Sequence, residues 1–241
     1  FHIGFIIWPR INAWGRLATG YDSLKTLLFT GEKQIQSLKE LDDINDKRKK
    51  LQAEALEIAL QKINIDNNIL IAMDKTFHEG VVGIVAWRIT EKYNKPSIVL
   101  HISDYKGIVV GSLRWPDYFD VMAMMQWIQQ QSFWLWSQSD SGILIKFWGH
   151  KQAWGMSVRI NDVELLEKLI KEYSTIAIKS EQTNKVINVD TIIHAHERTT
   201  ESLSPLDQME PFGKQNEEPL FALQDTIVTN IEKVGTRGKW H

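Results

Sequence analysis

Three stretches of the chain place cationic side chains beside glycines, a combination suited to binding an anion. The first is residues 9–16, which contains Arg10, Asn12 and Arg16. A guanidinium group binds phosphate oxygens through two parallel hydrogen bonds, and a glycine-rich turn lets backbone N–H groups approach the same anion. A solvated loop with surface arginines would have the same composition, so both interpretations stay open.

The second stretch is residues 111–114, Gly-Ser-Leu-Arg, at the end of a β-rich run. Side chains alternate along a strand, so Ser112 and Arg114 would present a hydroxyl and a guanidinium on the same face. This spacing predicts a clamp for a phosphate group. A β-turn with a surface arginine is the alternative interpretation.

The third stretch is residues 147–155, in which Gly149 and His150 precede a lysine. If they form a turn before a helix, free backbone N–H groups and the helix dipole would attract an anion. A buried histidine that caps a turn is the alternative. His78 precedes the predicted helix of residues 80–94 and could meet a phosphate, although a histidine in that place more often caps the helix.

These stretches contain no recognisable set of catalytic or metal-binding residues that could hydrolyse a phosphodiester bond. The sequence has no run of closely spaced Asp and His suited to Mg²⁺ or Mn²⁺, no Ser-His-Asp grouping, and no P-loop or Rossmann fingerprint. His194 and His196 would share one face of a strand, but no third ligand is apparent, so we assign no metal site. By themselves the residues indicate anion binding rather than cleavage.

The composition is ordinary for a globular protein, with 43% hydrophobic and 24% charged residues among 241. A formal net charge of −2 excludes a globally basic nucleic-acid binder, so a polyanion site would be a local patch. The absence of cysteine excludes disulfides and suits a reducing cytoplasm. No apolar run approaches the ~18 residues of a membrane span, so we expect no membrane association. Both ends of the chain indicate a piece of a longer protein.

The elements that would position these residues indicate an α/β fold. Residues 32–62 contain neither Pro nor Gly and predict one long amphipathic helix between two domains. Its predicted inward positions are Ile35, Leu38, Leu41, Ile44, Leu51 and Ile58. The basic run at residues 47–50 is interpreted as a solvated face, with a DNA contact as the alternative.

On either side of the long helix the patterns differ. Residues 1–31 are rich in Gly and Arg and predict irregular structure, whereas residues 64–174 alternate strand and helix signals. From residue 175 the pattern is that of a small, incomplete all-β module. The predicted strands are 69–73, 97–102, 108–113, 156–160, 176–179, 186–193, 221–223 and 226–231, and the further predicted helices are 80–94, 120–131 and 162–173.

In their order along the chain, these motifs resemble the RecJ family of single-stranded-DNA exonucleases, in the DHH phosphoesterase superfamily. The resemblance covers nearly the whole chain. It is carried by residues 3–5 with 9–16, the long helix with Leu41-Asp42-Asp43-Ile44-Asn45, residues 77–86 with 111–114 and 149–151, and Glu210-Pro211-Phe212-Gly213 with Asn216, Pro219 and Phe221. It implies four segments: the end of a DHH catalytic domain (1–31), a connector helix (32–63), a DHH-associated α/β domain (64–174) and a partial OB-fold (175–241).

The resemblance implies that the full-length protein degrades single-stranded DNA from 5′ to 3′ by two-metal hydrolysis, in DNA repair and recombination. The ligands for Mn²⁺ or Mg²⁺ would lie upstream of Phe1, so this chain alone would be inactive. The implied partner is single-stranded DNA with a 5′ phosphate, with a single-strand-binding protein or a helicase as candidate protein partners. Two alternatives stay open: another DHH phosphoesterase, such as an oligoribonuclease or a cyclic-dinucleotide hydrolase, and a non-catalytic single-strand-binding accessory protein.

The resemblance also implies roles for the candidate residues. Ser112 and Arg114 would hold the 5′ phosphate of the DNA. Arg10 or Arg16 would assist them. The residues that would line the cleft near the scissile phosphate are Asn12 and His150.

Ten tryptophans are present, and several of them stand beside glycines in runs that resemble turns. The family typically carries Gly or another small residue at five of these positions: Trp8, Trp14, Trp87, Trp148 and Trp154. One cause would explain all five, namely UGA codons that encode glycine in the source and are translated here as tryptophan. Base stacking by genuine tryptophans is the competing interpretation. Against it, the indole of Trp148 would fill the space of a phosphate and strain a turn that requires positive φ.

Overall fold

The computed structural model describes residues 2–103, 107–135, 142–150, 153–197, 199, 201, 204–213, 215–230, 233–234 and 239–240. The chain divides into two compact units, Phe1–Lys185 and Val186–His241. Among the described residues, no helix has both the length and the apolar character needed to cross a membrane.

The first unit is a mixed α/β structure, as the alternating signals predict. Its helices are α1 (Trp8–Leu17), α2 (Gly20–Leu28), α3 (Glu32–Lys62), α4 (Glu79–Tyr93), α5 (Val121–Leu135) and α6 (Val163–Ala177), and a π-helical turn, His2–Ile7, precedes α1. Its strands are β1 (Leu70–Asp74), β2 (Ser97–Ser103), β3 (Ile108–Arg114), β4 (Leu144–His150) and β5 (Ala153–Arg159).

The five strands form one sheet in the order β1-β2-β3-β5-β4, in which β1 and β2 are parallel and the other neighbours antiparallel. Successive side chains of a strand point to opposite faces of the sheet, and each face packs against its own hydrophobic core. Ile98 and Leu100 of β2 pack with α5 and α6, whereas Val99 packs with α3 and α4. The sheet therefore lies between two helical layers, and α4 covers the face of β3 that carries Ser112.

The prediction of irregular structure for residues 1–31 is wrong, because most of this segment is helical. Pro9 stands in the first turn of α1, where a missing N–H costs nothing. The side chain of Ala13 is fully buried where α1 packs on α3. This tertiary contact outweighs the weak helix propensity of the glycines.

The long helix is confirmed as Glu32–Lys62. Leu41 is buried, and Leu51 and Ile58 pack against the core, as predicted, but the first two predicted inward positions are exposed. Ile35 is 69% exposed and Leu38 is 47% exposed. The buried residues are Ser37, Leu41, Asn45, Ala55 and Ala59. Small side chains on this face let α1 and α4 approach α3 closely, which a stripe of leucine and isoleucine would prevent.

Residues 147–155 do not form a turn before a helix. Residues 144–150 are strand β4, which sequence patterns missed, and residues 153–159 are strand β5. Gly149 has a packing role here, because an added Cβ would lie 2.2 Å from the carbonyl oxygen of Ala153. Lys151 lies outside the described residues, and so does the side chain of His150.

The second unit contains short strands and 3₁₀ turns in its described part. Strand β6 (Thr191–His194) pairs in parallel with β7 (Phe221–Gln224), and β8 (Lys233–Val234) pairs antiparallel with β9 (Lys239–Trp240). Two strand predictions are wrong, one at the end of the first unit and one in the second unit. Residues 176–179 include the end of α6 instead, and residues 226–230 form no strand.

Candidate anion-binding site

Helices α1, α3 and α4 and the end of strand β3 surround a cleft of about 400 Å³. The cleft brings together two of the three sequence motifs, since residues 9–16 contribute Asn12 and Arg16 and residues 111–114 contribute Arg114. The residues that line it are Gly4, Trp8, Pro9, Asn12, Arg16, Arg48, Gly83, Ile84, Trp87 and Arg114. Only the tertiary structure joins these segments, because about a hundred residues separate them.

Ser112 and Arg114 form a fixed pair on one face of β3, as the alternation of strand side chains predicts. Nη1 of Arg114 donates a hydrogen bond to Oγ of Ser112 at 2.7 Å, and another to the carbonyl oxygen of Leu113 at 2.7 Å. Burial lowers the pKa of the Arg114 guanidinium, and the neighbouring charge of Arg16 lowers it further. The guanidinium stays charged at any physiological pH because the ordinary pKa of an arginine side chain lies far above that range.

Gly83 of α4 provides the space for this pair. A Cβ at this position would lie 3.0 Å from Nη2 of Arg114 and 3.1 Å from Oγ of Ser112. Gly80, one turn earlier, lets α1 approach, because a Cβ there would lie 1.9 Å from the carbonyl oxygen of Arg16. Glycines therefore set how closely α4 approaches both β3 and α1.

Arg48 is the member of the cleft that sequence reasoning missed. The basic run at residues 47–50 is interpreted above as a solvated face, which fits Lys47, Lys49 and Lys50 but not Arg48. The side chain of Arg48 is half-buried and lines the cleft. A signal was available: Arg48 lies three positions after Asn45 and seven before Ala55, so it falls on the inward face of α3.

The cleft carries positive charge without a protein counter-ion. In the described part of the chain, none of Arg16, Arg48, Arg88 or Arg114 forms an ion pair with a carboxylate. Burial lowers the pKa of Arg16, and both burial and the charges of Arg16 and Arg88 lower the pKa of Arg48. Like charges held together in this way are unfavourable until an anion joins them.

Two of the predicted site residues have other partners. Nε of Arg10 pairs with Oδ1 of Asp42 at 2.5 Å, and Nη1 donates to the carbonyl oxygen of Ile6 at 2.7 Å, so Arg10 joins α1 to α3 and does not line the cleft. His78 caps α4, because its Nδ1 accepts a hydrogen bond from the backbone N–H of Gly80 at 3.0 Å. For His78 this is the capping alternative that the sequence left open.

The third motif meets the second across the sheet. Ser112 pairs with Gly155 and Gly155 with Trp148, while Arg114 pairs with Ala153 and Ala153 with His150. Directly paired residues share a face, so the small residues of β5 leave a groove between β3 and β4. This groove, of about 490 Å³, shares Arg114 with the arginine cleft and is also lined by Ser112, Trp148, Gly149, Ala153, Trp154 and Gly155.

The five tryptophans at the implied small-residue positions lie in helices or strands rather than in turns. Trp14 lies in α1, Trp148 in β4 and Trp154 in β5, and the positive-φ glycines of the described residues are Gly31, Gly107 and Gly142. The expectation that Trp148 strains a turn is therefore wrong. Two other observations concern the site. Trp8 and Trp87 both line the arginine cleft, and Nε1 of Trp14 is buried without a hydrogen-bond partner.

The described residues contain no group of three or more His, Asp or Glu side chains that could hold a metal ion. In the second unit, the rings of His194 and His196 stack with their centroids 5.7 Å apart, and Nδ1 of His194 lies 3.8 Å from Asp225. These contacts do not complete a ligand set. A divalent cation would need ligands from elsewhere.

Comparison with known proteins gives a consistent result. The family model described as the RecJ OB domain matches residues 189–240. The chain is 30% identical over 229 residues to the single-stranded-DNA-specific exonuclease RecJ of Salmonella typhimurium, which covers 91% of this chain and 38% of that protein. It is 26% identical over 237 residues to the Bacillus subtilis protein of the same name, covering 97% of this chain and 29% of the relative.

A solved structure shares the fold. The crystal structure of RecJ in complex with Mn²⁺ from Thermus thermophilus matches with a TM-score of 0.75 at 23% identity, covering 92% of this chain and 31% of that one. The chain thus spans between 29% and 38% of the length of the relatives named here.

Proposed function

The chain belongs to the RecJ family, and we propose that it forms the substrate-binding part of a single-stranded-DNA-specific 5′-to-3′ exonuclease that acts in DNA repair and recombination. The observation that carries this proposal is the cleft in which Arg16, Arg48 and Arg114 converge and in which none of them pairs with a carboxylate of the described residues. Arginine forks of this kind suit phosphate oxygens, and a single strand offers a phosphate at every nucleotide.

Ser112 and Arg114 hold the 5′-terminal phosphate in this proposal. Arg114 already donates to Oγ of Ser112, so the hydroxyl of Ser112 keeps its own hydrogen for another acceptor. Its contact with the carbonyl oxygen of Trp154 is long, at 3.4 Å, which leaves that hydrogen available to a phosphate oxygen. Arg16 approaches the same anion from α1, and the amide of Asn12 lines the adjoining wall.

Divalent-metal catalysis belongs to the whole protein in this proposal, with Mn²⁺ or Mg²⁺ as the ion. The described residues do not supply a set of ligands that fits such an ion. We therefore assign no step of the hydrolysis to this chain and propose that the chain alone has no nuclease activity. Measurable cleavage of 5′-phosphorylated single strands by the purified 241-residue chain would refute this.

We propose that the first unit corresponds to the end of a DHH domain, the connector and the DHH-associated domain, and that the second unit tracks the strand by stacking and charge. The match of residues 189–240 to the RecJ OB domain supports this assignment over a compact two-domain DHH phosphoesterase. A non-catalytic binding protein stays the second candidate. An upstream gene segment with an Asp-His-His motif would favour the nuclease.

The test is binding of the purified chain to 3′-labelled single strands with either a 5′ phosphate or a 5′ hydroxyl, measured by fluorescence anisotropy at fixed salt. We expect the 5′-phosphorylated strand to bind more tightly, and Arg114→Gln to remove most of that preference. A hydrogen bond to a charged group is worth about 1.5–3 kcal/mol, so the loss should be at least about tenfold. Equal binding of both strands by both proteins would refute the proposal.

We also propose that Trp8, Trp14, Trp87, Trp148 and Trp154 stand where the source protein has glycine, encoded by UGA. Two observations support this: Trp8 and Trp87 take up space in the arginine cleft, and the indole N–H of Trp14 has no partner. The gene decides the matter, because UGG codons at these positions would exclude reassignment.

A further inference from the structure

The guanidinium of Arg48 is held in place by neutral groups only. Nη2 donates to Oδ1 of Asn45 at 2.7 Å, and Nη1 donates to Oε1 of Gln52 at 3.1 Å. Asn45 is itself 2% exposed, so this support is rigid. The third nitrogen of the guanidinium, Nε, is buried and has no hydrogen-bond partner. Amide oxygens orient the cation but do not neutralise it.

A half-buried cation of this kind is unfavourable on its own. Desolvation penalises the charge, and Arg16 and Arg88 add like charge nearby. No carboxylate among the described residues pairs with Arg48. The missing counter-ion would be supplied by an anion that binds the N–H hydrogens of Nη1 and Nη2 that Gln52 and Asn45 leave free.

Arg48 is separate from the pair formed by Ser112 and Arg114. Arg48 projects from α3, whereas Arg114 projects from β3, and the two guanidiniums share no hydrogen-bond partner. Arg16 lies electrostatically close to both of them. The cleft of about 400 Å³ is therefore lined by three arginines from three different elements, and Arg16 is electrostatically coupled to each of the other two.

We propose that Arg48 binds a second phosphate of the strand, the first internucleotide phosphodiester, while Ser112 and Arg114 hold the terminal phosphate. This inference rests on the proposed function and adds a residue to it. The single negative charge of a phosphodiester matches the single guanidinium of Arg48. Its oxygens would accept hydrogen bonds from the second N–H of Nη1 and of Nη2.

The experiment compares Arg48→Gln and Arg114→Gln in the complete chain, with three 3′-labelled single strands. One strand carries a 5′ phosphate, the second a 5′ hydroxyl, and the third a 5′ phosphate with an uncharged methylphosphonate at the first linkage. We expect Arg48→Gln to weaken the first two strands by the same factor, of about tenfold or more, and to leave the third unchanged. Arg114→Gln should instead weaken the 5′-phosphorylated strands selectively.

Lys50→Gln is the matched control, because Lys50 has the same charge on the same helix and is 79% exposed. We expect it to change affinity little for all three strands. Thermal melting checks the fold, because Arg48→Gln removes the hydrogen bonds to Asn45 and Gln52 although it breaks no ion pair. If Arg48→Gln melts lower than the wild-type chain, Arg48→Lys replaces it in the same comparison, with a smaller but equally strand-selective loss expected.

Three outcomes overturn the inference. The first is that Arg48→Gln alters only the preference for a 5′ phosphate, which would place Arg48 at the terminal phosphate. The second is that it weakens binding of the methylphosphonate strand as much as binding of the others, and the third is that it weakens binding no more than Lys50→Gln does. Either of these would leave only general electrostatics. These results are distinct from failure of the proposed function, in which Arg114→Gln also has no effect.

Discussion

Replacing Gly83 by alanine should separate the stability of the first unit from its affinity for a phosphate. Gly83 lies inside helix α4, where alanine is the better helix former. The same substitution adds a Cβ beside the site, 3.0 Å from Nη2 of Arg114 and 3.1 Å from Oγ of Ser112. The two effects act on different measurements and have opposite signs.

The magnitudes follow from these distances. Glycine to alanine in a helix interior stabilises by about 0.8–1.0 kcal/mol. Distances of 3.0–3.1 Å require the neighbours to move by a few tenths of an ångström. Nη2 of Arg114 is the far end of a flexible side chain, whereas Oγ of Ser112 is not, so only part of the gain should remain. In a unit of this size a gain of about 1 kcal/mol raises Tm by roughly 2–4 °C. Displacing the guanidinium of Arg114 weakens its charge-assisted hydrogen bond to the phosphate, which is worth about 1.5–3 kcal/mol. The affinity for the 5′-phosphorylated strand should therefore fall about tenfold.

The assay pairs thermal melting with anisotropy on a 5′-phosphorylated strand at one salt concentration. Gly15→Ala is the control, because Gly15 is also helical and an added Cβ would meet nothing within 4 Å. We expect Gly15→Ala to raise Tm by a similar amount and to leave binding unchanged. The reasoning is refuted if Gly83→Ala melts higher and still binds the strand as tightly as the wild-type chain.

Two further predictions concern stability. Trp14→Phe removes the buried Nε1–H that has no hydrogen-bond partner. Because an unpaired buried donor costs about 1–3 kcal/mol of stability, we expect Tm to rise. A clear fall in Tm would show that the packing of the indole outweighs this cost. Asp74 pairs with Nζ of Lys62 at 2.7 Å and accepts from Thr76, which together hold the pKa of Asp74 well below its ordinary value. A carboxyl whose pKa is lower in the folded state stabilises the fold above the unfolded pKa of about 4, and that contribution is lost as the pH falls towards the folded value. Asp74→Asn should therefore lower the free energy of unfolding, measured in urea, by about 1 kcal/mol at pH 7 and by less at pH 3. An equal loss at both pH values would contradict this assignment of the Asp74 pKa.

Elements with strong local patterns could be predicted from the sequence. Helix α3 has no Pro or Gly across its length, and α4 ends at Asn94, whose left-handed conformation stops it before Pro96. Strand β3 alternates buried and half-buried residues, which places Ser112 and Arg114 on one face. For α4 and β3 the sequence pattern that predicts the element lies within about fifteen neighbouring residues. For α3 it is one uninterrupted pattern without Pro or Gly.

Other elements depend on distant partners and could not be predicted in the same way. Helix α1 contains Pro9 and Gly15, and its formation depends on burying Ala13 against α3. Strand β4 reads as a turn because of Trp148 and Gly149, yet pairing with β5 makes it a strand. Arg48 reads as one member of a charged run, and only the packing of α3 directs it inward.

The sequence by itself determined the types of side chain available for an anion and the shared face of Ser112 and Arg114, because strand alternation is a local rule. Tertiary structure alone decided that Arg16, Arg48 and Arg114 meet in one cleft and that Arg10 and His78 serve other partners. The physical reason is helix packing. Buried alanines on α3 and the glycines of α4 let the helices and β3 approach closely, so cations from distant segments converge where no carboxylate of the described residues pairs with them.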